Sequence, residues 1–226
     1  MTEVEKKKNL EELEICKNDN YYFERNLINK GYKYICGIDE VGRGPLVGPV
    51  VAAAVILPLN FELKGLTDSK KISEKKRNEF DKIIREKAIA YSIIDVDNNK
   101  IDEVNIYEAT KIAMKKAIEN LKIKPDYILI DAMPLELDIP NLSIIKGDFK
   151  SRTIAAASVL AKVYRDSILY ELDKEYPYYN YKKNKGYPTK EHIEAIKKHG
   201  INKFYRKSYG PVKDYIANKG VEVWSF

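Results

Sequence analysis

The sequence predicts an α/β fold in which a mixed five-stranded sheet carries helices on its faces. Apolar, β-branched runs of strand length alternate with longer segments whose apolar residues recur at helical spacing. Some strands are joined by tight turns and others by helices, which is typical of a sheet with both strand directions. Hydrophobic residues form 44% of the 226-residue chain, which is enough for a core and excludes a wholly disordered protein.

Five strands and five helical segments can be placed along the chain from their residue patterns. Strands are predicted over residues 34–38, 49–57, 88–96, 127–130 and 142–145, which are apolar or β-branched. Helices are predicted over 74–87, 101–121, 152–174 and 189–199, and residues 1–30 are charged and helix-like. Ser73 and Ser151 are placed to cap the helices that follow them, and Gly200 ends the fourth.

The basic charge of the chain is concentrated near its C-terminus. The net charge is +6, yet residues 176–209 hold nine basic and only two acidic residues, so the rest of the chain is slightly acidic. A polyanionic partner is therefore expected to bind this stretch. We predict an N-terminal helical extension over 1–33, an α/β domain over 34–174 and a C-terminal helical, basic part over 175–226.

Composition also limits the cellular compartment in which we expect the protein. The longest apolar run, residues 50–59, is far shorter than the roughly 20 residues of a membrane-spanning helix. Two cysteines, Cys16 and Cys36, cannot form a disulfide framework, and no secretory leader opens the chain. We therefore expect a reducing, cytoplasmic setting and no membrane partner.

Acidic residues follow three of the predicted strands. Asp39 and Glu40 follow the first strand, Asp131 the fourth and Asp148 the fifth. Carboxylates that converge in one cleft need cations to limit their repulsion, and an all-oxygen ligand set favours Mg²⁺ or Mn²⁺, two of which serve in-line phosphoryl displacement. Each acid taken alone is more often a helix cap or a surface charge, so both interpretations stay open. Asp39 and Glu40 are expected to face opposite sides of a regular strand.

A glycine-rich segment, residues 42–48, follows the first acidic pair. It fits neither the dinucleotide-binding nor the Walker pattern, because residue 47 is valine, Pro45 lacks an N–H and no Walker lysine follows. A flexible backbone carrying the Arg43 guanidinium suits close approach to a sugar-phosphate chain.

Seven segments, in order, resemble the bacterial ribonuclease HII family. They are residues 37–50 (GIDEVGRGPLVGPV), 68–71 (DSKK), 131–132 (DA), 146–148 (KGD), 154–166 (IAAASVLAKVYRD), 186–189 (GYPT) and 208–212 (SYGPV). The resemblance covers about residues 34–213. The related ribonuclease HIII family has an extra N-terminal domain and lacks the loop arginine, so Arg43 and the short leading segment argue against it.

The resemblance implies a ribonuclease-H-like fold and a monomeric endoribonuclease. Such an enzyme cleaves the RNA strand of RNA–DNA hybrids and nicks DNA 5′ to embedded ribonucleotides, leaving 3′-hydroxyl and 5′-phosphate ends, and so removes ribonucleotides from DNA. It uses a two-metal site of Mg²⁺ or Mn²⁺, and its catalytic, metal-binding acids match Asp39, Glu40, Asp131 and Asp148. Asp39 would bridge the two ions, with Asp131 and Asp148 each completing one side.

The resemblance also implies a substrate-binding set. The family's loop whose backbone touches the 2′-hydroxyl matches Gly42, Arg43 and Gly44, and its tyrosine that stacks on the sugar at the RNA-to-DNA junction matches Tyr187. The chain departs from the family's usual residues at Val41, Val47, Ala132, Tyr205 and Tyr209.

For several residues the sequence leaves both a functional and a structural interpretation open. Ser69 and Lys70 are assigned to substrate phosphate, with a solvated helix lead-in as the alternative. Arg165 and Asp166 are predicted to form a local structural pair, and residues 155–158 to serve helix-on-sheet packing. For the whole chain, the rivals are a basic nucleic-acid-binding module without catalysis and a DNA nuclease or recombinase on the same fold.

Overall fold

Five strands form one sheet in the computed structural model, which describes residue 11, residues 14–16 and residues 19–219. They are β1 (Ile35–Val41), β2 (Val50–Ile56), β3 (Ala90–Val96), β4 (Tyr127–Asp131) and β5 (Asn141–Ile144). Their order across the sheet is β3-β2-β1-β4-β5, and β1, β4 and β5 run parallel. The predicted mixed five-stranded sheet is confirmed, and every predicted strand is present within a few residues of its expected bounds.

The helices follow the predicted order with additions near the C-terminus. They are α1 (Tyr22–Asn29), α2 (Glu74–Lys87), α3 (Asn98–Glu119), α4 (Gly147–Lys150), α5 (Arg152–Glu175), α6 (Tyr181–Asn184), α7 (Lys190–His199) and α8 (Gly210–Lys219), with a 3₁₀ turn at Pro177–Tyr179. Helices α4, α6 and α8 were not predicted. Part of the predicted helix over residues 1–30, including residues 1–10, lies outside the described residues.

The predicted caps are confirmed. Ser73 Oγ accepts the backbone N–H of Lys76 at 3.4 Å, and Ser151 Oγ accepts that of Ile154 at 3.3 Å. Gly200, with a φ of 87°, ends α7 in the left-handed region that favours glycine. These local interactions satisfy N–H groups that a helix start leaves without intrahelical partners.

Helix α3 is interrupted near its N-terminus. Asn105 has a φ of 68° and a ψ of 166°, which is not helical. Its side-chain oxygen accepts the backbone N–H groups of Tyr107 at 2.9 Å and Glu108 at 3.1 Å, so it caps the longer second part of the helix.

The chain divides into two compact units. Unit 1 comprises Met1–Glu40, Ala52–Ile94 and Met114–Val163, and unit 2 comprises Val41–Val51, Asp95–Ala113 and Tyr164–Phe226. One buried cluster of unit 1 joins α1, the sheet and the start of α5, through Leu27, Ile35, Leu129, Ile144 and Ile154. The core of unit 2 is rich in tyrosine and contains Leu46, Val47, Leu169, Leu172, Tyr179, Tyr181, Ile196, Tyr205 and Val212. The linear domain boundaries predicted from the sequence stay predictions.

Helix α5 lies very close to β1 within unit 1. A Cβ atom at Gly37 would lie 2.2 Å from the backbone carbon of Thr153, so only glycine permits this approach. No helix within the described ranges is long and apolar enough to cross a membrane.

Candidate active site

Asp39 and Asp131 are brought together by the pairing of two parallel strands in unit 1. Ile38 of β1 pairs with Ile130 of β4, so Asp39 and Asp131 are the next residues on neighbouring strands. Asp39 is buried, and its Oδ1 accepts the backbone N–H of Glu40 at 2.7 Å. Parallel strands end at the same edge of a sheet, which places both carboxylates at the carboxyl edge of β1 and β4.

Asp148 reaches the same group of acids from the turn after β5. It lies in the first turn of α4, and the backbone N–H of the preceding Gly147 donates to Asp131 Oδ1 at 2.6 Å. Ala132, directly after Asp131, has a φ of 47°, the left-handed region that favours glycine. The backbone on both sides of this contact is therefore tightly turned.

The four acids interact electrostatically. Burial, followed by the charges of Asp131 and Glu40, raises the pKa of Asp39 well above its ordinary value. Burial and then the Glu40 charge raise the pKa of Asp131, although the backbone N–H of Gly147 opposes this. Burial and then the Asp131 charge raise the pKa of Asp148 to about 6. Glu40 thus interacts electrostatically with both Asp39 and Asp131, and the opposite-face orientation expected of Asp39 and Glu40 stays a prediction.

Residues around the acids include some that the sequence did not assign to the site. Ser158 of α5 hydrogen-bonds to the Asp39 carboxylate, and its Oγ lies 2.8 Å from Ser69 Oγ. Lys70 is exposed, and its positive charge opposes the pKa rises of Asp131 and Asp148. Asp68, by contrast, contributes to the rise at Asp148.

Ser69 and Lys70 both lie beside the acids, but Ser69 is buried and Lys70 is exposed. Ser69 is buried, and its backbone oxygen accepts the Arg77 guanidinium at 2.7 Å. The sequence interpreted residues 155–158 as packing alone, whereas Ser158 also supports Asp39. A small residue in an alanine-rich helix carries no sequence signal for such a contact.

The carboxylates do not form a complete ligand set as they stand. In the part of the chain that the structure describes, no three His, Cys, Asp or Glu side chains are arranged to hold a metal ion. An ionised carboxylate has about four lone-pair sites, so the backbone N–H bonds to Asp39 and Asp131 leave acceptor capacity. The donors are oxygen atoms only, which is the set that Mg²⁺ and Mn²⁺ prefer.

The glycine-arginine-glycine loop is built inside unit 2. Gly42 has a φ of 96°, and a Cβ there would lie 2.2 Å from Arg165 Nε, so no other residue fits. Gly42 is buried, whereas Arg43 and Gly44 are exposed. The amide of Leu46 donates to the Gly186 oxygen at 2.7 Å, and the amide of Arg206 donates to the Leu46 oxygen at 2.9 Å.

Tyr187 lies against this loop in the same unit. A Cβ at Gly44 would be 3.2 Å from Tyr187 Cε1, and the Tyr187 side chain is 42% exposed, which leaves its ring accessible. His192 is fully buried, with Nδ1 2.8 Å from the Tyr187 carbonyl oxygen and Nε2 2.8 Å from the Tyr205 hydroxyl. Burial lowers the pKa of His192, which favours its neutral form.

The strand order and the acids at the edge of β1 and β4 define a ribonuclease-H-like fold, the class that the sequence predicted. The structure resembles the ribonuclease H2 of Pyrococcus horikoshii with a TM-score of 0.71 and 23% identity, covering 81% of this chain and 97% of that one. It also resembles Bst-RNase HIII in complex with Mn²⁺, with a TM-score of 0.64 and 18% identity, covering 83% of this chain and 70% of that one.

Sequence comparison defines the family. The ribonuclease HII family model matches residues 36–212. A ribonuclease HII of Ligilactobacillus salivarius is 55% identical over 190 residues, covering 84% of this chain and 74% of the relative. The chain belongs to the ribonuclease HII family, and its activity is that of an endoribonuclease acting on RNA–DNA hybrids.

Proposed function

We propose that the chain hydrolyses the RNA strand of hybrids and nicks duplex DNA 5′ to a single embedded ribonucleotide by a two-metal mechanism. The observation that carries the proposal is the group formed by Asp39, Glu40, Asp131 and Asp148, which interact electrostatically at the carboxyl edge of adjacent parallel strands. Clustered carboxylates with raised pKa values are typical of functional sites.

The donor chemistry of the four acids suits two divalent cations, although no three His, Cys, Asp or Glu side chains of the described residues are already arranged around one. Four oxygen-donor carboxylates would balance two ions of charge +2, and the charges of neighbouring acids add to the burial that raises the pKa values of Asp39 and Asp148. When bound, Mg²⁺ or Mn²⁺ supplies an activated water as nucleophile and stabilises the leaving 3′-oxygen. Asp39, supported by the Ser158 hydrogen bond, would hold these ions together with Glu40, Asp131 and Asp148.

Lys70 and Ser69 lie beside these acids within unit 1. The Lys70 charge acts on Asp131 and Asp148 and would attract the phosphate of the substrate backbone. The Ser69 hydroxyl is buried against Ser158, which supports a positioning contribution, and its assignment to substrate stays a prediction.

The loop and Tyr187 would supply specificity for RNA. The 2′-hydroxyl is the group that distinguishes a ribonucleotide from a deoxyribonucleotide, so a nuclease of this class must bind it next to the scissile bond. Only Val41 separates Glu40 from Gly42 in the chain, so the loop begins within two residues of the proposed metal ligands. We assign the backbone of Gly42, Arg43 and Gly44 to the 2′-hydroxyl and the exposed ring of Tyr187 to the sugar at the RNA-to-DNA junction.

The products follow from this arrangement. Attack on the phosphorus with departure of the 3′-oxygen leaves a 3′-hydroxyl and a 5′-phosphate that carries the ribonucleotide. Such a cut begins the removal of ribonucleotides from DNA, and a monomer with one group of acids is sufficient for it.

Asp131→Asn tests the proposal. The substitution keeps the shape of the side chain and removes its charge, so we expect cleavage of a duplex holding one ribonucleotide to fall at least about 100-fold, with binding retained. Gel assays with Mg²⁺ measure cleavage, and fluorescence anisotropy measures binding.

The matched control for this test is Asp138→Asn, the same change at an exposed position between β4 and β5. It should leave both quantities unchanged. Full activity of Asp131→Asn, or cleavage in excess EDTA, would contradict the proposal. Cleavage of an all-DNA duplex would instead support a DNA nuclease on the same fold.

A further inference from the structure

Two arginines of unit 2 are completely buried and point at the backbone of one loop. Arg165 of α5 and Arg206, which precedes α8, are 1% and 0% exposed. Arg165 donates to the carbonyl oxygens of Pro49 at 3.0 Å, Val47 at 2.9 Å and Lys185 at 3.1 Å. The charge of Asp166, which the sequence predicted to pair with Arg165, does act on it, and the hydrogen bonds of Arg165 go to backbone that lies farther away in the chain.

Arg206 uses all five of its N–H groups. Nε and Nη2 both donate to the Gly48 oxygen, at 2.9 and 2.8 Å, and Nη2 also donates to the Gly42 oxygen at 2.7 Å. Nη1 donates to the Arg43 oxygen and to the Tyr209 hydroxyl, each at 3.0 Å. A lysine has three donors on one nitrogen and cannot reproduce this planar set.

Burying the positive charges of Arg165 and Arg206 next to each other costs free energy, so the contacts that surround them need an explanation. Burial and the charge of Arg206 lower the pKa of Arg165 to about 10, so the Arg165 guanidinium stays charged at neutral pH, and burial also lowers the pKa of Arg206. The hydrogen bonds that surround both guanidiniums are accepted by carbonyl and hydroxyl oxygens. The charges of Asp166 and Asp102 also favour the charged forms of Arg165 and Arg206, respectively.

The carbonyl bonds determine where the loop amides point. In a trans peptide the C=O and the following N–H point in opposite directions, and none of the described peptides is cis. Because the Gly42 and Arg43 oxygens point toward Arg206, the N–H groups of Arg43 and Gly44 point away from it. Both of these residues are exposed.

Tyr209 adds a second bond to one of these peptides. Its hydroxyl donates to the Arg43 oxygen at 2.5 Å while accepting from Arg206, and its ring centroid lies 5.0 Å from the guanidinium carbon. The peptide whose N–H belongs to Gly44 is therefore held by a guanidinium and a phenol together.

We propose that Arg165, Arg206 and Tyr209 form a clamp that fixes the loop of residues 42–49 so that the amides of Arg43 and Gly44 are presented to the ribonucleotide 2′-hydroxyl. This inference rests on the proposed function of the loop and names the residues that position it. The three residues are positioning residues, since they act on the substrate through the loop backbone.

Tyr209→Phe is the sharpest test, because it removes one hydroxyl and keeps the ring. We expect kcat/KM on a duplex with one ribonucleotide to fall about fivefold, as the loss of one hydrogen bond predicts. The inhibition constant of the same duplex made entirely of DNA, added as competitor, should stay unchanged because it offers no 2′-hydroxyl.

The matched control is Tyr179→Phe. The Tyr179 hydroxyl also donates to a backbone carbonyl in unit 2, that of Gly200 at 2.8 Å, but not in the loop. It should alter the melting temperature as much as Tyr209→Phe does and leave kcat/KM unchanged. Unchanged kcat/KM in Tyr209→Phe, or equal losses in the two variants, would overturn the clamp.

Arg206→Lys extends the test. It keeps the charge and removes the planar donor set, so we expect a larger loss than in Tyr209→Phe, again with the all-DNA inhibition constant unchanged. If Asp131→Asn abolishes cleavage while Tyr209→Phe and Arg206→Lys both cleave normally, the proposed function stands and the clamp fails.

Discussion

At the scale of single residues, the site is defined by carboxylates that the fold brings together against their mutual repulsion. Asp39 is 5% exposed, and Asp131 and Asp148 are half-buried. Burial is the largest cause of each raised pKa, and the neighbouring acids add to it. These residues therefore retain protons at pH values where an ordinary aspartate is ionised.

The raised pKa values predict that cation binding releases protons. A divalent cation competes with the protons on these acids, so its affinity should fall as the pH falls through the pKa of Asp148, about 6. We expect at least about a tenfold weaker Mn²⁺ affinity at pH 5 than at pH 8. Calorimetry at pH 6 in two buffers of different ionisation enthalpy measures both affinity and proton release.

Asp148→Asn should reduce the number of protons released per ion in this experiment. The sign is fixed by the direction of the pKa shift, because a group with a raised pKa is protonated first as the pH falls. Equal affinities at pH 5 and pH 8, with no proton release, would contradict the account of the acidic group.

At the scale of elements, the start of α5 is held by a residue from another helix. Glu24 of α1 is 1% exposed, and its Oε1 accepts the Ser151 hydroxyl at 2.7 Å, the Thr153 N–H at 2.9 Å and the Thr153 hydroxyl at 2.8 Å. Residue 153 is also the point at which α5 meets Gly37 of β1. The N-terminal helix thus fixes the helix that carries Ser158.

Glu24→Ala should destabilise the protein by about 2 kcal/mol, because it leaves the buried N–H and hydroxyl donors without their acceptor. Urea denaturation measures the change. Glu24→Gln retains an acceptor oxygen and should cost less.

Glu86→Ala serves as the control, since Glu86 is an exposed residue paired with Lys87 on the helix surface. It should leave the unfolding midpoint unchanged. Equal effects of Glu24→Ala and Glu86→Ala would show that the α1–α5 contact contributes nothing.

The sequence predicted the elements well where the signal is local. Buried strands and the caps Ser73 and Ser151 depend on neighbouring residues, and both were placed correctly. The break at Asn105 was missed because the apolar residues over 101–121 recur at helical spacing on both sides of it. The last helix, α8, begins with Gly210 and Pro211, which resemble a turn in sequence.

The part of the candidate site that could be predicted from the sequence is the set of acids that follow predicted strands. The four acids could be proposed in this way, whereas the supporting contacts could not. Arg206 binds oxygens 158 to 164 residues away in the chain, and these are backbone atoms that every residue possesses. No residue pattern predicts such a hydrogen-bond partner, so the supporting contacts of Arg165, Arg206 and Ser158 can be identified only in the folded structure.

At the scale of the whole molecule, the basic stretch and the group of acids lie in different parts of the chain, and we assign them different functions. The net charge of +6 arises from residues 176–209, a stretch that also contains Tyr187. Within it, Lys182 and Lys183 are exposed, and the Lys183–Glu191 pair on the surface leaves most of the positive charge uncompensated. Such a surface suits the phosphates of a duplex, whereas the proposed role of the acids is to hold cations.

Neutralising Lys182, Lys183 and Lys185 together to Ala should raise KM and flatten its dependence on salt, because fewer counterions are released on binding. We expect little change in kcat. Steady-state cleavage at several salt concentrations measures the slope.

The control for this variant replaces three exposed lysines outside the basic stretch, Lys116, Lys122 and Lys124. These changes alter the net charge equally and should leave the salt slope unchanged. Equal slopes in wild type and in the Lys182/Lys183/Lys185 variant would show that the basic stretch does not bind the duplex.

The most direct test of the central claim is to map the cleavage position on a DNA duplex that holds one ribonucleotide, with Mg²⁺ and with Mn²⁺. The account predicts a single cut 5′ to the ribonucleotide that leaves a 3′-hydroxyl and a 5′-phosphate, and no cut in the matching all-DNA duplex. A cut at any other position, equal cleavage of the all-DNA duplex, or no cleavage with either metal would contradict it.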